Sequence, residues 1–133
     1  MIYLDNSATT KPSASAIKAA TDMFENFGNP SALHEIGARA QAVLEDARSE
    51  IARVISAKVE EIVFTSGGTE ANNTAVIMPA LARRKRGNRV VVSAVEHDSV
   101  MASAKYLENQ GFDVVYVYPE KDGNISEIGR AHV

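Results

Sequence analysis

Ten consecutive residues, Phe64-Thr65-Ser66-Gly67-Gly68-Thr69-Glu70-Ala71-Asn72-Asn73, run from an apolar segment through adjacent glycines into a polar helix start. A junction of this kind can hold a phosphate. The first N–H groups of a helix have no intrahelical partner, the helix dipole is positive there, and glycine carries no Cβ to keep an anion away. Gly68 supplies open backbone and Thr69 a hydroxyl donor. The same residues would also arise if Ser66 or Thr69 only capped a helix. The glycine spacing is neither G-x-G-x-x-G nor G-x-x-x-x-G-K-[ST], which excludes the dinucleotide fingerprint and the P-loop. A second chemistry-bearing residue, His97, follows an apolar run and precedes Asp98 and Ser99, either of which can cap a helix. An imidazole there can move protons, or it can be a half-exposed loop residue.

The elements that must position these residues are legible from periodicity. A short strand is expected from Ile2 to Leu4, then a helix from about Ser13 to Glu25 with Ile17, Ala20 and Phe24 at helical spacing. Phe27-Gly28-Asn29-Pro30 breaks it, and Ser31 is the expected N-cap of a long helix to about Ser56. Its stripe of Ile36, Ala40, Val43, Leu44, Ala47, Ile51 and Val54 marks a core-packing face. His34, in the first turn of that helix, reads as a surface or capping side chain. A buried strand is expected at Ile62 to Thr65, a helix from Glu70 to about Arg86 ended by Gly87, a strand from Val90 to Ala94, a helix to about Gln110 stopped by Gly111, and a strand from Phe112 to Tyr118. Alternation of this kind predicts an α/β fold, a largely parallel sheet covered by helices, with ligands beyond the strands' carboxyl ends. Pro79 falls inside one expected helix, where a kink or an early end is anticipated. Asn72 and Asn73 could reach a ligand or satisfy local backbone.

Composition sets the outer bounds. The 133 residues are 45% hydrophobic, enough for one core of ordinary domain size. With 14 basic and 17 acidic side chains the net charge is −3, so nothing draws the chain to nucleic acid or to an anionic membrane. Arg83-Arg84-Lys85-Arg86 reads as cations closing a helix's carboxyl end. There is no cysteine, hence no disulfide framework, and no metal site is assigned. No basic segment with a following apolar run opens the chain, and no apolar run approaches the ~20 residues of a membrane span, so a cytoplasmic protein is expected.

The segment FTSGGTEANN resembles the cofactor-phosphate loop of cysteine desulfurases, pyridoxal-phosphate enzymes of the class V aminotransferase superfamily, whose signature is close to F-T-S-G-x-T-E-x-N-N. Three more segments resemble that family in the same order: Tyr3 to Thr10, Gly28-Asn29-Pro30-Ser31 with His34 and Gly37 behind it, and Glu96-His97. The resemblance implies a fold of three αβα layers on a mainly parallel sheet, of which residues 1–127 would be the N-terminal part of the transferase domain. It implies pyridoxal 5′-phosphate as cofactor, anchored on Gly68 and Thr69, with His97 stacked on its ring and moving protons. L-cysteine would be the substrate, alanine the product and an enzyme persulfide the carrier of sulfur toward iron–sulfur clusters or tRNA thiolation. A homodimer and a sulfur-acceptor or scaffold protein would be the partners. Another class V enzyme, such as a selenocysteine lyase or an aminotransferase, shares these residues, and a non-catalytic phosphate-binding module is the alternative of a different class.

Three family groups have no counterpart in the sequence: the Asp that salt-bridges the pyridine nitrogen, the Lys that binds the cofactor covalently, and the Cys that receives sulfur. The six lysines lie outside the family's Ser-x-His-Lys context. The expectation is therefore an N-terminal fragment of a longer enzyme, poorly soluble and inactive alone. Ile128-Gly129-Arg130-Ala131-His132-Val133 reads as a non-native tail of the kind a sequencing adapter encodes, and no function is assigned to His132.

Overall fold

The computed structural model describes residues 2–125, so the expected tail at 128–133 lies outside the described residues. The chain divides into two units, Met1–Val63 and Phe64–Val133.

The first unit is helical. Helix α1 spans Ala14–Glu25 and starts where Ser13 Oγ accepts the N–H of Ala16. Helix α2 spans Glu35–Val54. Its N-cap is His34 rather than Ser31: His34 Nδ1 accepts the N–H of Gly37 at 3.2 Å, and residues 29–32 form a separate turn closed by Ala32 N–H on Asn29 O. Proximity of Pro30 explains the delay, because proline and the turn it favours hold the backbone out of the helical ladder. Gly37 is required here, since a Cβ would stand 2.4 Å from Ala32 O and 2.8 Å from Asn29 O. The helix ends in a Schellman motif, with Ser56 N–H on Arg53 O and Ala57 N–H on Ala52 O. Ser56 occupies the left-handed position at φ 56°.

Only part of the expected apolar stripe of α2 is covered. Of its residues Ala40 is buried, while Ile36, Val43, Ile51 and Val54 are exposed; Ala52, outside the stripe, is buried as well. Two expected strands are absent: residues 2–4 are extended without a ladder, and Val59–Glu61 form a single 3₁₀ turn leading into irregular backbone through Thr65. Apolar β-branched composition favours a strand, but a strand exists only when a neighbour accepts its hydrogen bonds. Among the described residues the sheet holds two strands, and neither of these segments is one of them.

The second unit carries the α/β alternation. Helix α3 spans Gly68–Arg83, strand β1 Arg89–Ser93, helix α4 Asp98–Asn109 and strand β2 Asp113–Val117. The strands pair in parallel, Arg89 opposite Asp113 through Ser93 opposite Val117, with α4 as the crossover. Arg89 Nε bonds Asp113 Oδ2 at 2.7 Å across the first register pair, and Ala94 N–H on Val117 O extends the ladder beyond the last. Gly111, at φ 84°, turns the chain from α4 into β2.

The core of this unit is α4, whose Ser99, Ser103, Ala104 and Leu107 are buried together with Phe112. Bonds from Asn72 to Ser99 and from Asn73 to Ser103 advance along both helices together, so α3 and α4 lie side by side and parallel. Their N-termini therefore share one end, the end reached by the carboxyl terminus of β1.

Pro79 does not stop α3, which continues to Arg83. The cationic cluster behind it is more specific than a helix-end charge: Arg84 donates to Gln110 O at 2.8 Å and lies 5.1 Å from the centroid of Phe112. It ties the ends of α3 and α4 to the start of β2. No helix among the described residues is long and apolar enough to cross a membrane.

Candidate functional site

Gly67 is the N-cap of α3, and its extended backbone carries no side chain to accept the first-turn N–H groups. Neither Ser66 nor Thr69 takes that role. Thr65 Oγ1 donates forward to Gly67 O at 3.2 Å, and Ser66 Oγ is held by Glu70 Oε2 at 2.6 Å. Glu70 also accepts the N–H of Ser66 at 2.7 Å. Glu70, the third helical residue, thus reaches back past the cap to the residue before it, and no N-cap side chain reaches forward. The N–H groups of Gly68 and Thr69 thus stay open, at the positive end of a 16-residue helix. A Cβ built on Gly67 or Gly68 meets nothing within 4 Å, so the approach is clear.

Glu70 is the one negative group in that first turn. The Ser66 hydroxyl, and then the Ser66 N–H, hold its carboxyl below the ordinary glutamate range. Its charge is therefore engaged with Ser66, one residue ahead of the cap.

His97 is the N-cap of α4, not a loop residue before the cap: Asp98 and Ser99 are its first two helical residues. Nδ1 of His97 accepts the N–H of Ser99 at 3.1 Å and lies 2.8 Å from Ser99 Oγ. Ser99 Oγ in turn receives Asn72 Nδ2 at 2.8 Å. A continuous chain of side chains thus leads from the first turns of α3 to the imidazole.

Asn73 makes the parallel link, donating to Thr69 O at 2.8 Å while its Oδ1 accepts from Ser103 Oγ at 2.7 Å. Ser103, fully buried, also contacts Ser99 O at 2.9 Å. Every buried side-chain polar atom among the described residues has a partner. Of the sequence-derived candidates, Gly68, Thr69 and His97 all sit at the shared N-terminal end of α3 and α4. Ser103, Glu70 and the hydroxyl of Ser99 were not foreseen. A usable signal existed: Ser99 and Ser103 fall four apart on an otherwise apolar helix face, matching the adjacent amides Asn72 and Asn73.

A sizeable concavity lies elsewhere. A groove of about 390 Å³ runs between the second half of α3 and β1, lined by Val76, Pro79, Ala80, Val90, Val92 and Phe112 among others. It contains no nucleophile and no carboxylate, so its size does not mark it as the chemical site.

An uncapped helix start beside a histidine-capped one, at the carboxyl end of a parallel strand, is an arrangement that can bind an anionic ligand and present an imidazole to it. Comparison with known proteins gives the family. The family model described as aminotransferase class-V matches residues 2–131. A NifS/IcsS protein homolog of Lactobacillus delbrueckii subsp. bulgaricus is 43% identical over 127 residues, 95% of this chain and 33% of that protein. Cysteine desulfurase IscS of Methanosarcina thermophila is 41% identical over 126 residues, 94% of this chain and 31% of that protein. Among solved structures, a NifS-like protein superposes with a TM-score of 0.89 at 30% identity, covering 96% of this chain and 35% of its own. SspA, solved in complex with cysteine, gives 0.84 at 32% identity, covering 95% of this chain and 37% of its own. The chain spans about one third of the length of the curated relatives it matches. With nearly its whole length matched by one family model and its fold matched by solved NifS-like structures, this chain belongs to the aminotransferase class-V family.

Proposed function

We propose that the chain is the cofactor-anchoring part of a cysteine desulfurase, and that residues 1–127 are the N-terminal part of its transferase domain. The family depends on pyridoxal phosphate, and the observation that carries the reading is the start of α3. Gly67 leaves the first-turn N–H groups uncapped, the space before Gly67 and Gly68 is open, and Glu70 is turned onto Ser66. These features fit a phosphate monoester, which offers several strong acceptor oxygens to backbone N–H donors.

In this reading Gly68 and Thr69 hold the cofactor's phosphate through backbone N–H groups and the Thr69 hydroxyl. His97, on the neighbouring helix start, covers the cofactor ring and exchanges protons at Nε2, because Nδ1 is committed to the α4 cap. Bound here, pyridoxal phosphate supplies an electron sink for carbanion chemistry at the substrate Cα. The substrate is L-cysteine: its C–S bond breaks as an enzyme thiolate takes the sulfur, giving L-alanine and an enzyme persulfide. The chain contains no cysteine. In this reading the thiolate, like the cofactor-binding lysine, belongs to the part of the relatives' length that this chain does not span. The parent protein would act in the cytoplasm as a homodimer and pass sulfur to an acceptor or scaffold protein for iron–sulfur assembly or tRNA thiolation. Support comes from the relatives at 36–43% identity, most of which carry the name cysteine desulfurase.

The test compares pyridoxal 5′-phosphate with pyridoxal by titration of the purified protein. Binding that needs the phosphate, and that inorganic phosphate competes away, is the expected result. Equal binding of both compounds would remove the anchor and the reading with it.

A further inference from the structure

The chain Asn72, Ser99, His97 has a direction. The amide nitrogen of Asn72 can only donate, and it stands 2.8 Å from Ser99 Oγ. The hydroxyl therefore accepts from Asn72 and has one proton to place, and its other polar neighbour is His97 Nδ1 at 2.8 Å. The backbone N–H of Ser99 is aimed at the same nitrogen. With two donors directed at Nδ1, that nitrogen is an acceptor, and the neutral ring carries its proton on Nε2. Ser99 is 7% exposed, so little solvent is available to replace the relay.

We infer that Asn72 and Ser99 are positioning residues for His97: they fix which ring nitrogen is protonated and how the ring is tilted relative to the open start of α3. What His97 then touches rests on the proposed function; the tautomer does not. The placement ties the two ligand-facing features together, because Asn72 lies one turn beyond Thr69 on the helix whose start would hold the phosphate. Displacement of the α3 start would therefore be felt at the imidazole through two hydrogen bonds. The capping bond alone does not set this arrangement. His34 caps α2 through Nδ1 on Gly37 N–H, with no hydroxyl relay behind it among the described residues.

The experiment is ¹⁵N correlation spectroscopy of the imidazole rings in histidine-labelled protein, where His34 and His97 serve as reference and reporter. Unmodified protein is expected to show His97 protonated at Nε2 and bare at Nδ1. Asn72→Asp puts an acceptor where a donor was. The Ser99 proton then turns to the carboxylate, its oxygen can accept from the ring, and the His97 signals shift toward the Nδ1–H form while those of His34 stay in place. Ser99→Ala is expected to move His97 in the same direction by loss of one donor, and Ser99→Thr, which keeps the hydroxyl, to restore the original pattern. His97 signals unchanged in both Asn72→Asp and Ser99→Ala, with the backbone amide spectrum intact, would overturn the inference. Should Asn72→Asp fail to fold, Ser99→Ala, which removes a single oxygen, decides alone. Addition of pyridoxal 5′-phosphate separates this inference from the function it rests on. Movement of His97 on addition supports the cofactor reading, whereas no movement together with the variant shifts leaves the relay standing and the cofactor reading refuted.

Discussion

Placing an acceptor at the bare start of α3 should raise stability and lower phosphate affinity at once, and Gly67→Asp is the substitution that does this with least disturbance. The backbone at Gly67 is extended, at φ 166° and ψ 179°, a conformation open to any residue, and the new Cβ meets nothing within 4 Å. The carboxylate would accept the N–H of Thr69 or Glu70, the donors a cap ordinarily satisfies. Glycine is itself a fair N-cap, so the gain is a few tenths of a kcal/mol, with a dipole contribution of about 0.3–1 kcal/mol that the nearby Glu70 charge reduces. A net stabilisation of about 0.5 kcal/mol corresponds to a rise of about 2–4 °C in Tm for a unit of this size. The same carboxylate takes one N–H from the phosphate, and a hydrogen bond to a charged group is worth about 1.5–3 kcal/mol, or about 10- to 150-fold in Kd. Thermal melts and pyridoxal 5′-phosphate titrations read the two effects separately. Gly67→Ala, which adds a Cβ without an acceptor, should bind nearly as the original does. A Gly67→Asp protein that melts higher and binds the phosphate ester undiminished would refute the assignment of the α3 start as the anion site.

Three further outcomes follow from local geometry. Ser56 holds a left-handed conformation at φ 56°, so Ser56→Gly should stabilise the C-terminus of α2 by up to about 1 kcal/mol, visible as a higher urea midpoint; an unchanged midpoint would mean that the Schellman turn carries no strain. Gly37→Ala should do the opposite, by about 1–3 kcal/mol, because its Cβ would press on the carbonyl oxygens of Ala32 and Asn29; a midpoint within error of the original would contradict that crowding. Glu70 has a folded-state pKa below the ordinary 4.5, because its charged form accepts from the Ser66 hydroxyl and N–H. A depressed carboxyl pKa stabilises the fold above the unfolded-state value, and that contribution is lost as pH falls from about 4.5 through the folded-state value. Glu70→Gln should therefore lose less stability than the original on acidification. Some acid sensitivity should remain, because Lys105 and Tyr116 hold Glu108 low and Asn124 holds Asp122 low. Equal acid slopes for the two proteins would show that the Ser66 bonds do not bind the charged form.

How much of this was readable beforehand depends on whether a feature is local. α1, α3, α4, β1 and β2 were each placed within a few residues, because their signals lie within the element: helical apolar spacing, Gly111 as stop, and runs of valine bounded by polar turns. The strands at 2–4 and 62–65 were misread because a strand is completed by a partner that its own composition cannot supply. Pro79 was expected to interrupt α3, yet a helix anchored by Asn72 and Asn73 at one end and Arg84 at the other tolerates one missing hydrogen bond. The start of α2 moved from Ser31 to His34 because capping propensity ranks residue types in isolation, and the turn at 29–32 consumed Ser31 first: its N–H bonds Asn29 Oδ1 at 2.9 Å. The position of Gly68, Thr69 and His97 at helix starts was legible because each belongs to a local motif. Ser99 and Ser103 as partners of Asn72 and Asn73 were not, since that pairing spans 27 and 30 residues and appears only once α3 and α4 lie parallel.

Capping across the chain separates what is merely structural from what points to a ligand. α1 has a serine cap, among the most effective residue types, with Ser13 Oγ on the N–H of Ala16. Both α2 and α4 use a histidine whose Nδ1 accepts a first-turn N–H, so a histidine cap in this protein is a structural habit and does not by itself mark a site. Two things distinguish His97 from His34. A hydroxyl and an amide stand behind its ring, and the helix beside it begins with no side-chain cap at all. A bare start forgoes about 1 kcal/mol that Ser, Asp or Asn would supply relative to an apolar residue, and less relative to glycine. Gly67 thus costs the fold little while leaving two N–H donors unclaimed at a helix terminus, which is the arrangement a phosphate can use and a capping side chain would close.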